Sequence, residues 1–418
     1  MDWNGKFVQN AVVIARGMFR GGHAKTAHGL ILHGRIFRIV AVIDQTCAGQ
    51  DAGELMGIGK RGIPVVASLD EIPGAGGRVP GAGSRTRGRG VHRRPSSLPG
   101  PRPPAPGTRY PDPGTLIIGV APAGGRLPGE WRKDIKEAIG RGMDIVSGLH
   151  DFLGDDPELA SMAKRSGARI WDVRRPPERL ELFSGRKWPV PVVLTCGTDA
   201  SSGKRTVTAE LYNAARSRGI GAAIVATGQT GMMVGADEGV AIDHVPGDFM
   251  SGTVEDMVHK VMVKGAELVF VQGQASLTHQ AYGPVTLGIL FGARPHYVVM
   301  VHVPGRDFRP SFPDQPVNGP MEEYALVRML SGAKAVGIAL DCRKCADPAA
   351  VIRECERASG IPAADVLRDG PGKLLDSLLR RLAGDGRFRF GPGLRKAIGA
   401  VGKETANHHS RQKRSGSQ

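Results

Sequence analysis

Short apolar runs alternate with amphipathic stretches along most of the chain, the pattern of strands and helices that follow one another in an α/β protein. In the first half, this pattern predicts buried strands at residues 35–43, 64–67, 116–120, 144–147 and 168–173. Helices are predicted between them at 51–56, 130–140 and 157–166. Strands separated by helices pair in parallel, so the first half predicts one parallel sheet with helices on both faces.

The second half repeats the pattern after a connection rich in Pro and Arg at residues 174–189. Strands are predicted at 190–194, 222–226, 268–272, 297–302 and 335–340. Helices are predicted at 204–218, 253–264, 322–330, 348–359 and 372–382. A connection of this composition is typical of a domain boundary, so we expect two α/β domains.

Two segments lack this periodicity and carry most of the charge. Residues 73–110 contain nine Gly, eight Pro and eight Arg with no acidic residue, and the tail 395–418 carries a net +5. Together they account for all but +3 of the net charge of +16, so we expect no nucleic-acid binding by the folded part. The segment 73–111 interrupts an ordered α/β unit, either as a disordered insertion or as a stretch translated out of frame; we favour the second.

Composition narrows the class further. No apolar run reaches the roughly 18 residues of a membrane span, and the first residues lack the layout of a signal peptide. Five Cys in 418 residues are few, which fits a reducing compartment, and we expect a cytoplasmic homo-oligomer that acts on a small molecule. Cys342 and Cys345 lack two further ligands at zinc spacing, so no residue is predicted to hold a metal.

The strongest chemical signal is a Gly-bounded loop between the strand at 190–194 and the helix at 204–218. A loop that opens a helix aims backbone N–H groups at one point, and a Lys there adds positive charge, which together cradle a phosphate. The spacing departs from G-x4-G-K-[ST], because five residues separate the two glycines and Arg205 follows Lys204. The predicted cofactor-binding residues are Gly197, Thr198, Asp199, Ser201, Ser202, Gly203, Lys204, Arg205 and Thr206.

Polar clusters follow two other strands of the same predicted sheet. The strand at 268–272 ends in Gln272, where triphosphate-hydrolysing proteins of this kind carry a magnesium-binding acid. Gln274 and His279 follow it as candidate catalytic residues, and His279 is either an acid/base or a structural turn residue. The run 227–233 is either a ligand-contacting loop, with Thr230 as a candidate substrate contact, or a plain turn.

In the first domain, His150 and Asp151 follow a predicted strand at its carboxyl end. A His beside an acid is typical of a general base, and both are candidate catalytic residues. Arg126 follows the Gly-rich loop 121–125 and is a candidate partner for a substrate carboxylate. Asp44 stands where dinucleotide folds place a ribose-binding acid, but no G-x-G-x-x-G precedes it.

These residues carry a resemblance to known proteins. The phosphate loop is similar to that of dethiobiotin synthetase-like proteins, and the wider pattern resembles the DUF1611 family. That pattern comprises residues 42–44, 48–53, 62–65, 118–125, 147–151, 228–231 and 273–277. It spans about 10–72 and 112–385, fails across 73–111, and has Glu in the family where this chain has Gln272.

The resemblance implies a Rossmann-like domain, at residues 1–186, and a P-loop NTPase-like α/β domain, at 187–394. The composition of the basic tail at 395–418 predicts that it is disordered. The resemblance also implies a D-glutamate N-acetyltransferase of D-amino acid catabolism, with acetyl-CoA as co-substrate. From the loop residues themselves, we expect the P-loop to hold the phosphates of CoA. Two alternatives stay open: an ATP- or GTP-dependent ligase or kinase of the dethiobiotin synthetase type, using Mg²⁺, and a nucleotide-binding protein.

Overall fold

The computed structural model describes residues 8–72, 113–120, 125–310 and 312–415, with side chains to residue 403. The chain forms two compact units: Met1–Arg175 with Gln229–Gly235, and Pro176–Gly228 with Ala236–Gln418. The predictions for 73–111 and for the loop 121–124 lie outside the described residues. No helix in the described ranges is long and apolar enough to cross a membrane.

The first unit is built on a six-stranded sheet in which every strand pair is parallel. Its helices and strands in chain order are β1 (Gln9–Ile14), α1 (Lys25–His33), β2 (Phe37–Ile43), α2 (Ala52–Leu55), β3 (Val65–Val66), β4 (Thr115–Ile118), α3 (Arg132–Gly140), β5 (Asp144–Ser147), α4 (Pro157–Ser166) and β6 (Ile170–Asp172). The spatial order β3-β2-β1-β4-β5-β6 is that of Rossmann folds. The order of the strands across the sheet reverses between β1 and β4, while all strands stay parallel.

Two elements near the start of the chain, β1 and α1, were absent from the sequence prediction. β1 is the central strand, and its last four residues are fully buried. α1 has only a weak apolar face, because its sequence mixes His, Lys and Gly with Leu and Ile. Such short or mixed runs carry little periodic signal, and burial between neighbouring elements decides their conformation.

The second unit is built on a seven-stranded, all-parallel sheet. Its elements follow in chain order, except that α6 belongs to the first unit: β7 (Val192–Gly197), α5 (Lys204–Ser217), β8 (Ala222–Ala226), α6 (Gln229–Val234), β9 (Glu238–Gly239), α7 (Gly247–Val263), β10 (Leu268–Gln272), α8 (Gly283–Ala293), β11 (Tyr297–His302), β12 (Phe308–Arg309), β13 (Phe312–Pro316), α9 (Pro320–Ser331), β14 (Lys334–Leu340), α10 (Pro348–Ser359), β15 (Ala363–Ala364), α11 (Gly372–Ala383) and α12 (Pro392–Ser415). The spatial order β15-β14-β11-β7-β10-β8-β9 places β7 at the centre.

Apolar side chains cover both faces of this second sheet. One core contains residues of α7, α8, α9 and α10, and the other contains residues of α5, α11 and α12. β12 and β13 form a separate antiparallel pair. The α/β fold predicted from the sequence is therefore confirmed for both halves of the chain.

The end of the chain differs from its predicted disorder. Residues 392–415 form α12, and Leu394, Ala397 and Val401 are buried in the core beside α11. These three residues recur at helical spacing, so burial of one apolar stripe holds the start of this basic helix against the second unit.

Candidate phosphate-binding site

The predicted phosphate loop joins the end of β7 to the start of α5. Its backbone passes through the left-handed region at Ser201, with φ of +52°, and at Gly203, with φ of +101°. Glycine tolerates the second angle without strain, which lets the chain turn sharply into the helix at Lys204. Eight of the nine predicted cofactor-binding residues lie on this loop or in the first turn of α5, and the ninth, Gly197, is the last residue of β7.

The Lys204 side chain folds back over the loop. Its Nζ donates hydrogen bonds to the carbonyl oxygen of Asp199, at 2.5 Å, and to Oγ of Ser202, at 3.2 Å. A Cβ atom on Gly197 would lie 2.8 Å from this Nζ, so the glycine leaves room for the ammonium group. The loop thus holds a fixed, buried positive charge at the amino end of a 14-residue helix.

Two arginines that follow β11 converge on Asp199 of the loop. Arg309 donates through Nη1 to Oδ1 of Asp199, at 3.2 Å, and to the carbonyl oxygen of Thr198, at 3.2 Å. Arg306 donates to Oδ2 of Asp199, at 3.1 Å. The Asp199 carboxylate is 1% exposed and contacts both arginines. Its one negative charge is outnumbered by the positive charges of Lys204, Arg306 and Arg309, so the surroundings of the loop are net positive.

The same Arg309 guanidinium joins the loop to the segment after β10. Its Nη1 donates to Oγ of Ser276 and its Nη2 donates to Oγ1 of Thr278, at 3.2 and 3.1 Å. Thr278 in turn donates its hydroxyl proton to the Glu323 carboxylate. Burial raises the pKa of Glu323, although hydrogen bonds from Thr278 and Leu277 oppose the shift.

The segment after β10 approaches β7 closely. A Cβ atom on Gly273 would lie 2.1 Å from the carbonyl oxygen of Thr195, so this position requires glycine. Gln274, a predicted catalytic residue, is half-buried and donates through Nε2 to the carbonyl oxygen of Thr227, at 2.6 Å. The structure therefore brings Gln274 and the phosphate loop to the same edge of the sheet.

His279 makes the contacts of a structural residue. Its Nδ1 accepts hydrogen bonds from the backbone N–H groups of Ala281 and Tyr282, so the proton of the neutral ring lies on Nε2. That nitrogen is 3.9 Å from Oδ1 of Asp199. Burial, and then the charge of Arg309, lower the pKa of His279, and the ring is 2% exposed. Of the two roles that the sequence leaves open, these contacts favour the structural one.

Arg205 and Gln272 occupy the positions where metal-dependent P-loops carry a hydroxyl and an acid. Burial lowers the pKa of Arg205 to about 10. Its Nη1 has no hydrogen-bond partner among the described residues. Gln272 is 8% exposed and its backbone carbonyl accepts from the Thr227 hydroxyl, at 2.7 Å. A guanidinium and an amide replace the usual magnesium ligands here.

The first unit brings three predicted site residues together at the carboxyl ends of β4 and β5. The backbone N–H of His150 donates to the carbonyl oxygen of Gly125, at 2.7 Å, and the imidazole packs against the Gly125 backbone. Asp151 accepts from the backbone N–H of Leu127, at 2.9 Å. Arg126 lies between these two anchor points and is exposed, as are His150 and Asp151.

Two other residues singled out from the sequence are buried within the first unit. Thr230 lies on α6, not on a loop, and its hydroxyl is hydrogen-bonded to that of Thr26, at 2.8 Å. The Asp44 carboxylate accepts hydrogen bonds from Phe19 and from the backbone and hydroxyl of Thr46. These hydrogen bonds fix the loop after β1, so the role of Asp44 in this structure is structural.

Sequence reasoning missed Arg306, Arg309 and Glu323. The two arginines belong to the run 305–310, directly after a correctly predicted strand of the same sheet. Basic residues at the carboxyl end of a strand beside the phosphate loop were the available signal. Glu323 gives no such signal, because it reads as the first turn of an ordinary helix.

The chain matches two sequence profiles of domains of unknown function from one family. The P-loop domain of DUF1611 matches residues 181–375, and the Rossmann-like domain DUF1611_N matches residues 105–176. The crystal structure of a DUF1611 family protein from Anabaena variabilis is similar, with a TM-score of 0.74 and 31% identity. The matched region covers 89% of this chain and 99% of the Anabaena protein.

Two curated relatives carry the name D-glutamate N-acetyltransferase. The protein from Tritonibacter scottomollicae is 35% identical over 272 residues, which are 63% of this chain and 80% of the relative. The protein from Pseudoalteromonas sp is 33% identical over 276 residues, 63% of this chain and 81% of the relative. With both profiles and these relatives in agreement, the chain belongs to the DUF1611 family, with a Rossmann-like and a P-loop domain, as its sequence predicted.

Proposed function

We propose that this protein transfers the acetyl group of acetyl-CoA to the amine of D-glutamate. The observation that carries the proposal is the composition of the phosphate loop: a cationic cradle whose usual magnesium ligands are replaced by Arg205 and Gln272. Such a loop is suited to holding a phosphorylated carrier without hydrolysing it. The names of the two relatives supply the reaction and the acceptor.

CoA presents a pyrophosphate and a 3′-phosphate, and the loop offers matching groups. Lys204 lies over the loop, and the N–H groups at the start of α5 lie beneath it. Arg205 adds a half-buried side chain whose buried Nη1 has no hydrogen-bond partner among the described residues. Charge-assisted hydrogen bonds to phosphate are each worth about 1.5–3 kcal/mol, so these groups suffice for binding without a metal ion.

Transfer needs a base, an oxyanion partner and a site for the acceptor. We assign the base to His150, with Asp151 beside it: the base takes a proton from the substrate ammonium. The free amine then attacks the thioester carbonyl and the C–N bond forms. The nitrogen loses a second proton as the C–S bond breaks, and the released CoA thiolate takes up that proton. Backbone N–H groups beside the thioester stabilise the oxyanion, and Arg126, in the same unit as His150, is the proposed partner of a substrate carboxylate.

Thiol release tests the reaction. Purified full-length protein with acetyl-CoA and D-glutamate should release CoA thiol and form N-acetyl-D-glutamate, identified by mass spectrometry. Replacing D-glutamate by L-glutamate tests the stereochemistry, and His150→Gln should lower kcat while leaving acetyl-CoA affinity unchanged.

Calorimetry tests the ligand of the loop. Lys204→Ala should weaken acetyl-CoA binding roughly 10- to 100-fold, the effect of one lost charge-assisted contact. Lys264→Ala is the matched control. Lys264 lies at the end of α7, is exposed, and forms an ion pair with Glu238. Tight binding of ATP·Mg or GTP·Mg without binding of acetyl-CoA would refute the proposal in favour of a nucleotide-dependent enzyme.

A further inference from the structure

A cavity of about 400 Å³ opens at the carboxyl ends of β11 and β14 in the second unit. Its walls come from His302 of β11, Leu340 of β14, Met321 at the start of α9, and Val351, Cys355 and Ala358 of α10. The lining is mostly apolar, and the volume falls in the range of small-ligand pockets, about 300–1,000 Å³. None of the residues assigned to phosphate binding or to acetyl transfer lines it.

This cavity begins one side chain away from the phosphate loop. Nδ1 of His302, which lines the cavity, is 3.0 Å from Oγ1 of Thr198 in the loop. The backbone N–H of Thr198 donates to the carbonyl oxygen of Val301, at 3.1 Å. Because β11 and β7 are hydrogen-bonded neighbours, the loop and the cavity lie at the carboxyl ends of adjacent strands.

The charges at the two ends of this path have opposite sign. The loop end carries Lys204, Arg306 and Arg309 around Asp199. Among the described residues, the cavity end carries Glu322, whose carboxylate accepts a hydrogen bond from the backbone N–H of Gly319, and Glu354, which pairs with Arg357 outside the lining. A ligand with anionic groups at one end and a flat, uncharged ring bearing an amino group at the other matches this polarity, since carboxylates accept hydrogen bonds from amines and repel phosphates.

Burial, and then the charge of Arg306, lower the pKa of His302. Its ring is therefore neutral at neutral pH and offers an uncharged aromatic edge to the cavity. An aromatic ligand ring would meet this edge on one side and the side chains of Met321 and Val351 on others.

We propose that this cavity binds the adenine ring of the ligand whose phosphates occupy the loop. The inference rests on the proposed phosphate-bearing ligand and adds the subsite that selects its base. Adenine occurs in CoA and in ATP, so the cavity alone leaves both as sources, and the ligands of the test separate them.

Two substitutions fill the cavity from opposite walls. Met321→Trp and Ala358→Trp both alter solvent-exposed positions at the cavity mouth, so the fold has room to accept them. Arg353→Trp is the matched control, since it places the same side chain on an exposed part of α10 that does not line the cavity. Calorimetric titrations use CoA, adenosine 3′,5′-bisphosphate, ADP, 4′-phosphopantetheine and inorganic pyrophosphate.

Each cavity-filling variant should weaken CoA and adenosine bisphosphate at least tenfold and leave pyrophosphate binding unchanged. Lys204→Ala should weaken all phosphate ligands. If the wild-type protein binds adenosine bisphosphate and both cavity variants bind it equally well, the adenine assignment is wrong and the proposed function stands.

Two further outcomes also decide the assignment. Loss of 4′-phosphopantetheine binding without loss of ADP binding would place the pantetheine arm in the cavity and overturn the adenine assignment. If the wild-type protein binds none of these ligands, the proposed function itself fails. ADP binding without CoA binding identifies a nucleotide as the source of the adenine and supports the subsite while contradicting acetyl transfer.

Discussion

Replacing Arg309 by Met should destabilise the second unit by about 3 kcal/mol. Arg309 is 2% exposed and makes hydrogen bonds to four groups, on Thr198, Asp199, Ser276 and Thr278. Removing one partner of a buried ion pair costs about 3–5 kcal/mol, because the other charge stays buried. The lower end applies here, since Arg306 still contacts the carboxylate.

Hydrogen exchange read by mass spectrometry measures this loss within the second unit. Exchange of β7 and β11 amides that open by unfolding should accelerate roughly a hundredfold, the equivalent of about 3 kcal/mol. Arg353→Met, on the exposed part of α10, is the control. It should change the opening free energy measured by exchange by less than about 0.5 kcal/mol.

A double-mutant cycle separates the charge from the packing. Asp199→Asn removes the buried carboxylate, so Arg309→Met should cost about 2 kcal/mol less in that background than alone. Additive effects of the two substitutions would refute the view that the ion pair of Arg309 and Asp199 holds the loop. A loss of unfolding free energy below about 1 kcal/mol for Arg309→Met alone would refute it too.

Three further changes test other parts of the second unit. Gly273→Ala places a Cβ atom 2.1 Å from a backbone oxygen, so pyrophosphate binding in calorimetry should be lost; Gly247→Ala, with no atom within 4 Å, should leave it intact. Burial lowers the pKa of His296 from 6.5 to about 4, so the unfolded chain takes up a proton first as the pH falls. Stability is then full above about pH 6.5 and falls toward pH 4, by at most about 3 kcal/mol. Urea unfolding of His296→Asn should show a shallower decline, and an equal decline would contradict this cause. Gln272→Glu restores an acid at the strand end, so ADP binding should strengthen with Mg²⁺ in the variant; an equal Mg²⁺ effect in the wild-type protein would contradict the role given to Gln272.

The sequence predicted the elements with strong periodicity and failed on those without it. The helix at 204–218 and the strand at 268–272 match α5 and β10 closely, because their apolar spacing is regular. The hairpin of β12 and β13 and the short α6 were missed, because each is too brief to build a repeat. α8 was also missed: it is apolar on nearly all sides, so it shows no helical face.

By itself, the sequence determined the α/β class, the phosphate loop and the family, because these depend on local order: a strand, a glycine-bounded turn and a helix in succession. Only the tertiary structure decided which distant side chains complete the site. Arg309 meets Asp199 across 110 residues, and Glu323 meets Thr278 across 45, since parallel strands distant in sequence end at one edge of a sheet. Burial, which the sequence does not show, lowers the pKa of His279 and leaves its ring 2% exposed.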